Sequence, residues 1–186
     1  MIAQALSAAG ITSGVPYNMR FCLLDRIITL EPGKAISAER TVTGQEDYLA
    51  DHFPLFPVLP GVLMLETMTQ AAAWLIRVTD DFRHSVVALK EARNVKYSDF
   101  VVPGKTLVVQ AEIQKREGGI TTLKAQGMVN GNVAVSARLL LESNNLEILY
   151  PSRAGSDARA QVKLREFFEK LGGSQAIVPS GTSVVS

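Results

Sequence analysis

The stretch that most limits how this chain can fold covers residues 60–77. Two apolar runs, Val62-Leu63-Met64-Leu65 and residues 71–76, cover nearly every face of the helix it would form. A helix apolar on all sides must be surrounded by other structure. Glu66 and Gln70 interrupt the run, which argues for a buried core helix and against a membrane span. Pro60 suits the first helical position, where its missing N–H costs nothing. The polar exceptions Glu66, Thr69 and Gln70 fall at i, i+3 and i+4, so they share one side.

What surrounds such a helix is legible on both sides of it. Residues 21–30 and 35–42 read as strands around Glu31-Pro32-Gly33-Lys34, a type II turn signal. Residues 45–50 read as a short helix or loop, followed by a proline-dense loop over 51–59. After the helix the period changes to two. Residues 85–91 and 94–102 are strand-like, and Pro103-Gly104-Lys105 marks a turn. In residues 106–115, Leu107, Val109, Ala111 and Ile113 lie on one face. Gly118-Gly119 leads into residues 120–129, and Asn130-Gly131, a strong two-residue hairpin signal, returns the chain through 132–142. This order predicts an α+β domain whose antiparallel sheet wraps one long central helix.

The 186 residues exceed one such domain. Residues 1–18 are rich in small residues and read as a weakly ordered extension, with Met19 just before the periodic structure. The domain covers 19–142. Residues 143–186 form a C-terminal extension with an amphipathic helix at about 157–171. Its stripe of Leu164, Phe167, Phe168 and Leu171 should dock on an apolar surface. Ser156 or Asp157 can cap its start and Gly172 its end. Residues 174–186 read as a flexible tail.

Nineteen basic residues against eighteen acidic give a net charge of +1, which offers no basis for nucleic-acid or anionic-membrane binding. Cys22 is the only cysteine and His52 and His84 are the only histidines, so an internal disulfide and a cysteine-rich or multi-histidine metal centre are excluded. The first eighteen residues lack Lys and Arg, unlike a secretory signal peptide, and a cytoplasmic location is expected.

Nucleophile-elbow, phosphate-loop and zinc-protease motifs are missing. The chemistry concentrates in residues 51–66. His52 lies on the proline-rich loop and can exchange a proton near neutral pH. Gly61, at the helix start, offers an amide that a substrate oxygen can approach closely. Glu66 sits in the buried helix, where burial favours the protonated form over the usual carboxylate value of ~4.3. A base, a carbonyl-polarising amide and an acid are what α,β-elimination next to a thioester requires.

The run His-Phe-Pro-x-x-Pro-x-x-Pro-Gly-Val-Leu-x-x-Glu-x-x-x-Gln, beginning at His52, resembles the signature of the β-hydroxyacyl-acyl-carrier-protein dehydratases of the FabZ type. Leu23-Leu24-Asp25-Arg26, Val95-Lys96-Tyr97 and Val101-Val102-Pro103-Gly104 extend the resemblance over roughly residues 20–142. It implies a hotdog fold. It also implies dehydration of a (3R)-hydroxyacyl thioester to the trans-2-enoyl thioester, in fatty-acid or related synthesis. By position, it makes His52 the base, Glu66 the acid and Gly61 the oxyanion-binding amide. Val62 supplies a carbonyl that orients the histidine, and Gln70 steadies the carboxyl. Glu66 in place of the aspartate of the related FabA type favours dehydration without isomerisation. No metal or redox cofactor is implied, because the substrate arrives on the phosphopantetheine of acyl carrier protein, or as a CoA thioester. A homodimer or trimer of dimers follows, with sites shared at the dimer interface. Leu55 stands where the family usually has glycine, and Asp99 where a basic residue is common. A hotdog acyl-thioesterase and a non-catalytic acyl-thioester-binding partner subunit are the rival readings.

Overall fold

The computed structural model describes residues 21–153 and 155–179. The proposed extension over residues 1–18 lies outside the described residues. Strands β1 (Arg26–Glu31) and β2 (Ala35–Thr41) form a hairpin, closed where the Lys34 N–H donates to the Glu31 carbonyl at 3.0 Å. A single 3-10 turn, Asp47–Leu49, leads to the proline-rich loop and then to helix α1 (Gly61–Thr79). Strands β3 (Val86–Tyr97), β4 (Thr106–Glu117), β5 (Ile120–Val129) and β6 (Asn132–Asn144) follow. The six strands make one antiparallel sheet in the order β1-β2-β4-β5-β6-β3. Between β5 and β6, Asn130 and Gly131 take φ of 51° and 81°, the left-handed pair that a type I′ hairpin turn needs.

The sheet wraps α1 as the alternation predicts. Met64, Met68, Leu75 and Ile76 of the helix are buried against Leu107, Val109, Leu123 and Leu139 of the sheet. Burial of each such side chain is worth about 1.5–3 kcal/mol, so this contact is the main source of stability. Buried Thr67 and Thr69 turn their hydroxyls back onto the Leu63 and Leu65 carbonyls, so neither is left unpaired.

Two expected strands merge into one. β3 runs unbroken to Tyr97, and Asn94 takes φ 53° where the register with β6 shifts between Arg93 and Lys96. Asparagine tolerates that conformation, so the strand bends without ending. Residues 98–102 leave the sheet, and buried Val101 accepts the Leu59 N–H at 2.8 Å, which ties this loop to the entry of α1.

The C-terminal extension folds as α2 (Leu146–Leu149), a 3-10 turn (Pro151–Arg153), α3 (Ser156–Lys170) and α4 (Gly173–Ala176). Phe168 and Leu171 are buried, and Leu164 and Phe167 pack beside them. Phe167 stacks on Trp74 at 6.0 Å, and Phe168 meets Trp74 at 5.9 Å and Phe82 at 5.6 Å. Gly172, at φ 70°, terminates α3.

Two expectations need correction here. No side chain caps the start of α3, which follows left-handed Gly155; the Asp157 carboxylate accepts instead from the Leu146 and Glu147 N–H groups and the Ser85 hydroxyl. Residues 174–179 are not a free tail. Ile177 makes a parallel bridge to Leu30, and the Val178 N–H donates to the Leu30 carbonyl at 2.9 Å. The outer edge of β1 is thereby covered, which removes an exposed strand edge.

Candidate active site

The loop over residues 51–59 is held by its own backbone. The Val58 N–H donates to the His52 carbonyl at 2.9 Å, and Phe53 and Phe56 exchange N–H···O bonds at 3.2 and 2.9 Å. His52 Nδ1 lies 3.3 Å from the Val58 carbonyl oxygen. A carbonyl only accepts, so this contact places the proton on Nδ1 and leaves Nε2 of the neutral ring free to act as a base. The Phe53 ring stacks on the imidazole at 4.2 Å. The carbonyl facing the histidine is therefore that of Val58, not of Val62. Val62 sits in the first turn of α1 with its side chain exposed, and its place in the helix ladder directs its carbonyl along the helix.

Leu55 is fully exposed at the tip of the turn. Among the described residues the non-glycine positions with positive φ are Asp81, Phe82, Asn94 and Asn130. Leu55 is not one of them, so substitution of the family's glycine introduces no left-handed strain.

The helix begins at Gly61. The Leu63 and Met64 N–H groups already bond to the Pro60 carbonyl at 2.9 and 3.1 Å. The N–H groups of Gly61 and Val62 precede any helical acceptor and remain available to a ligand oxygen. Gly61 has a second reason to lack a side chain, because the Tyr97 ring lies against it.

Glu66 is half-buried on α1 and accepts from Gln70 Nε2 at 2.9 Å. Gln70 also reaches the stretch before β1, where its Nε2 donates to the Phe21 carbonyl and its Oε1 accepts the Leu23 N–H, each at 2.9 Å. Within the chain, His52 and Glu66 thus bond to different partners, the Val58 carbonyl and the Gln70 amide. Sequence reasoning assigned no role to Val58, Tyr97, Phe21 or Leu23. Three of them act through backbone groups and the fourth, Tyr97, through a ring contact, and none of these leaves a side-chain signal in the motif.

Among the described residues, no group of three His, Cys, Asp or Glu side chains is arranged to hold a metal ion. No helix there is long and apolar enough to cross a membrane.

Comparison with known proteins identifies the family. A FabA-like domain matches residues 15–138. The 3-hydroxyacyl-[acyl-carrier-protein] dehydratase FabZ of Ruminiclostridium cellulolyticum is 34% identical over 125 residues, covering 67% of this chain and 88% of the relative. The FabZ of Dechloromonas aromatica is 35% identical over 142 residues, covering 73% and 96%. Among solved structures, the dehydratase heterocomplex ApeI:P from Xenorhabdus doucetiae superposes with a TM-score of 0.56 at 20% identity, over 71% of this chain and 89% of that one, a likeness of fold. A match of the family model over most of the chain, with FabZ relatives covered almost end to end, shows that the chain belongs to the FabA-like family of hotdog dehydratases and to its FabZ branch.

Proposed function

We propose that the protein dehydrates (3R)-hydroxyacyl thioesters carried on acyl carrier protein to trans-2-enoyl thioesters. The observation that carries this reading is the His52 contact with the Val58 carbonyl, which leaves Nε2 as the basic nitrogen. Nε2 removes the proton from C2. The C2–H electron pair forms the C2=C3 double bond as the C3–O bond breaks. Glu66 delivers a proton to the departing hydroxyl, which leaves as water. The Gly61 N–H stabilises the negative charge that builds on the thioester oxygen. His52 ends protonated and Glu66 ionised, and one proton passed back resets both. No net oxidation occurs, so the elimination calls for no redox cofactor. The phosphopantetheine arm comes with the substrate.

The proposal includes a homodimer. Among the described residues β3 lies at the sheet edge and pairs with β6 alone, whereas Ile177 bridges to Leu30 on the β1 edge. Beside the open strand, Phe53, Leu55, Phe56, Val62 and Tyr97 are all exposed, an apolar surface that suits a second copy. A cytoplasmic location suits the single free cysteine, Cys22.

The test is incubation with a 3-hydroxyacyl thioester and, separately, with its enoyl product, on carrier protein and on CoA. Enoyl absorbance should rise from the first and fall with the second, with no thiol released. Thiol release would replace this reading with thioester hydrolysis. No change in either signal, with binding retained, would leave a non-catalytic binder.

A further inference from the structure

We infer that the apolar turn Ile148-Leu149-Tyr150 of the C-terminal extension packs on Phe56 and Phe100 of a second copy of the chain, and so joins the wall around that copy's His52 loop. The inference rests on the homodimer proposed above. Ile148 and Leu149 end α2 and Tyr150 follows it, three consecutive large side chains that are all exposed. They lie beyond residues 15–138, the part that the family match covers, so the fold common to the family does not account for them. Hydrogen bonds fix their place. The Leu146 N–H donates to the Ser85 hydroxyl at 3.0 Å and the Ser85 N–H to Asn145 Oδ1 at 3.3 Å, so the turn stands beside the start of β3. Phe56 and Phe100 stand past the other end of β3. Both are exposed, and their rings meet edge to face at 5.7 Å. Twelve residues of β3, at about 3.3 Å each, hold the two patches roughly 35 Å apart, so they do not meet within one chain.

Two-fold symmetry brings them together. Across an axis perpendicular to the sheet, a strand pairs with its own copy antiparallel, so the start of one β3 faces the end of the other. The charges of β3 select the register. Glu91 and Arg93 form an ion pair at 2.7 Å on this open strand, and both side chains are exposed. With Ala92 on the axis, Glu91 of each protomer lies opposite Arg93 of the other, and four charges alternate in sign about a small side chain. With Glu91 or Arg93 on the axis, like charges would meet. Counted along the strand, the Ala92 register sets Val86 opposite Ser98 of the second copy, two residues from its Phe100. The exposed turn of one protomer and the exposed ring pair of the other thus reach the same end of the interface, twice in each dimer.

The test uses the full chain with Cys22→Ser, which removes the only native thiol. Ser98→Cys and Ser152→Cys are added together. Both serines are exposed, and their replacement leaves the apolar side chains in place. A short bismaleimide should join most of the protein into covalent dimers. Neither substitution alone should do so, because equivalent residues lie at opposite ends of the dimer. A dimer by sedimentation that the doubly substituted chain does not cross-link, or that a single substitution cross-links equally, would overturn the inference and leave the dimer standing. Monomers by sedimentation would overturn the dimer and the inference together. Affinity supplies a second readout. Ile148→Ser with Leu149→Ser alters only exposed side chains, so the fold is kept. The dimer dissociation constant should rise about 10²-fold, since symmetry counts each lost contact twice. An unchanged dissociation constant would overturn the inference. Neither measurement depends on turnover, so a failure of the dehydratase reading is told apart from a failure of the contact.

Discussion

The Tyr97 ring lies so close to Gly61 that a Cβ on the glycine would sit 3.0 Å from Tyr97 Cε1 and 3.2 Å from Cδ1. The glycine leaves room for a ring from β3, and in the proposed mechanism its amide also receives the substrate oxygen. In an unobstructed helix, Gly→Ala gains about 1 kcal/mol. Overpacking costs about 1–3 kcal/mol. Gly61→Ala should therefore lower stability in urea titrations, and in a Tyr97→Ala background the same change should become stabilising. An equal cost in both backgrounds would show that the ring is not the obstacle.

The C-terminal extension should behave as part of the folded body. Phe168 is buried between Trp74 and Phe82. Phe168→Ala should cost about 3–5 kcal/mol, as for other buried aromatic truncations. Deleting residues 153–186 should uncover Trp74 and the edge of β1, lower the melting temperature and promote association, with turnover per folded molecule retained. Unchanged melting and assembly after truncation would show that the extension adds nothing to the body.

Asp157 gives that extension a pH dependence. Burial works against its charge, but the hydrogen bonds from Ser85, Leu146 and Glu147 together hold its carboxyl below the usual carboxylate range. The unfolded chain therefore takes up the proton first as pH falls. The stabilising contribution is complete above the ordinary aspartate value, and it is lost as pH drops through the lower folded-state value. Asp157→Asn should melt below wild type at neutral pH, and the gap should close in acid below the ordinary aspartate range. A gap that persists unchanged in acid would remove the charge from the explanation.

Much of this was legible in the sequence, for identifiable reasons. The apolar girth of α1 required a sheet around it, and the alternation of Leu107, Val109 and Ala111 gave the face that meets it. The stripe of α3 announced a docked helix. The sequence pattern divides β3 at residues 92–93, whereas the chain only bends at Asn94, inside one strand paired with β6 on both sides of the bend. The attachment of Ile177 to β1 had no periodic signal, since a single bridge needs only backbone groups. In the site, residue type and spacing pointed to His52, Gly61, Glu66 and Gln70. The family resemblance places the histidine's carbonyl partner at Val62, whereas the structure places it at Val58, whose N–H closes the loop onto the His52 carbonyl.

The proposed dimer makes a prediction that depends on which chain supplies each group. His52 and Glu66 have separate partners within one chain, the Val58 carbonyl and the Gln70 amide. Each of His52→Ala and Glu66→Gln should lower turnover about 10²–10⁴-fold, the range for acid–base groups. If a site takes His52 from one subunit and Glu66 from the other, two-fold symmetry gives each dimer two equivalent composite sites. Equal amounts of the two variants, refolded together, make roughly half of the dimers mixed. In a mixed dimer one site collects both altered residues and the other collects both intact ones. Roughly a quarter of all sites should then work, a consequence of the symmetry. If one chain supplied both residues, no intact site could form. A mixture as inactive as its parents, with subunit exchange confirmed, would show that each site is built within a single chain.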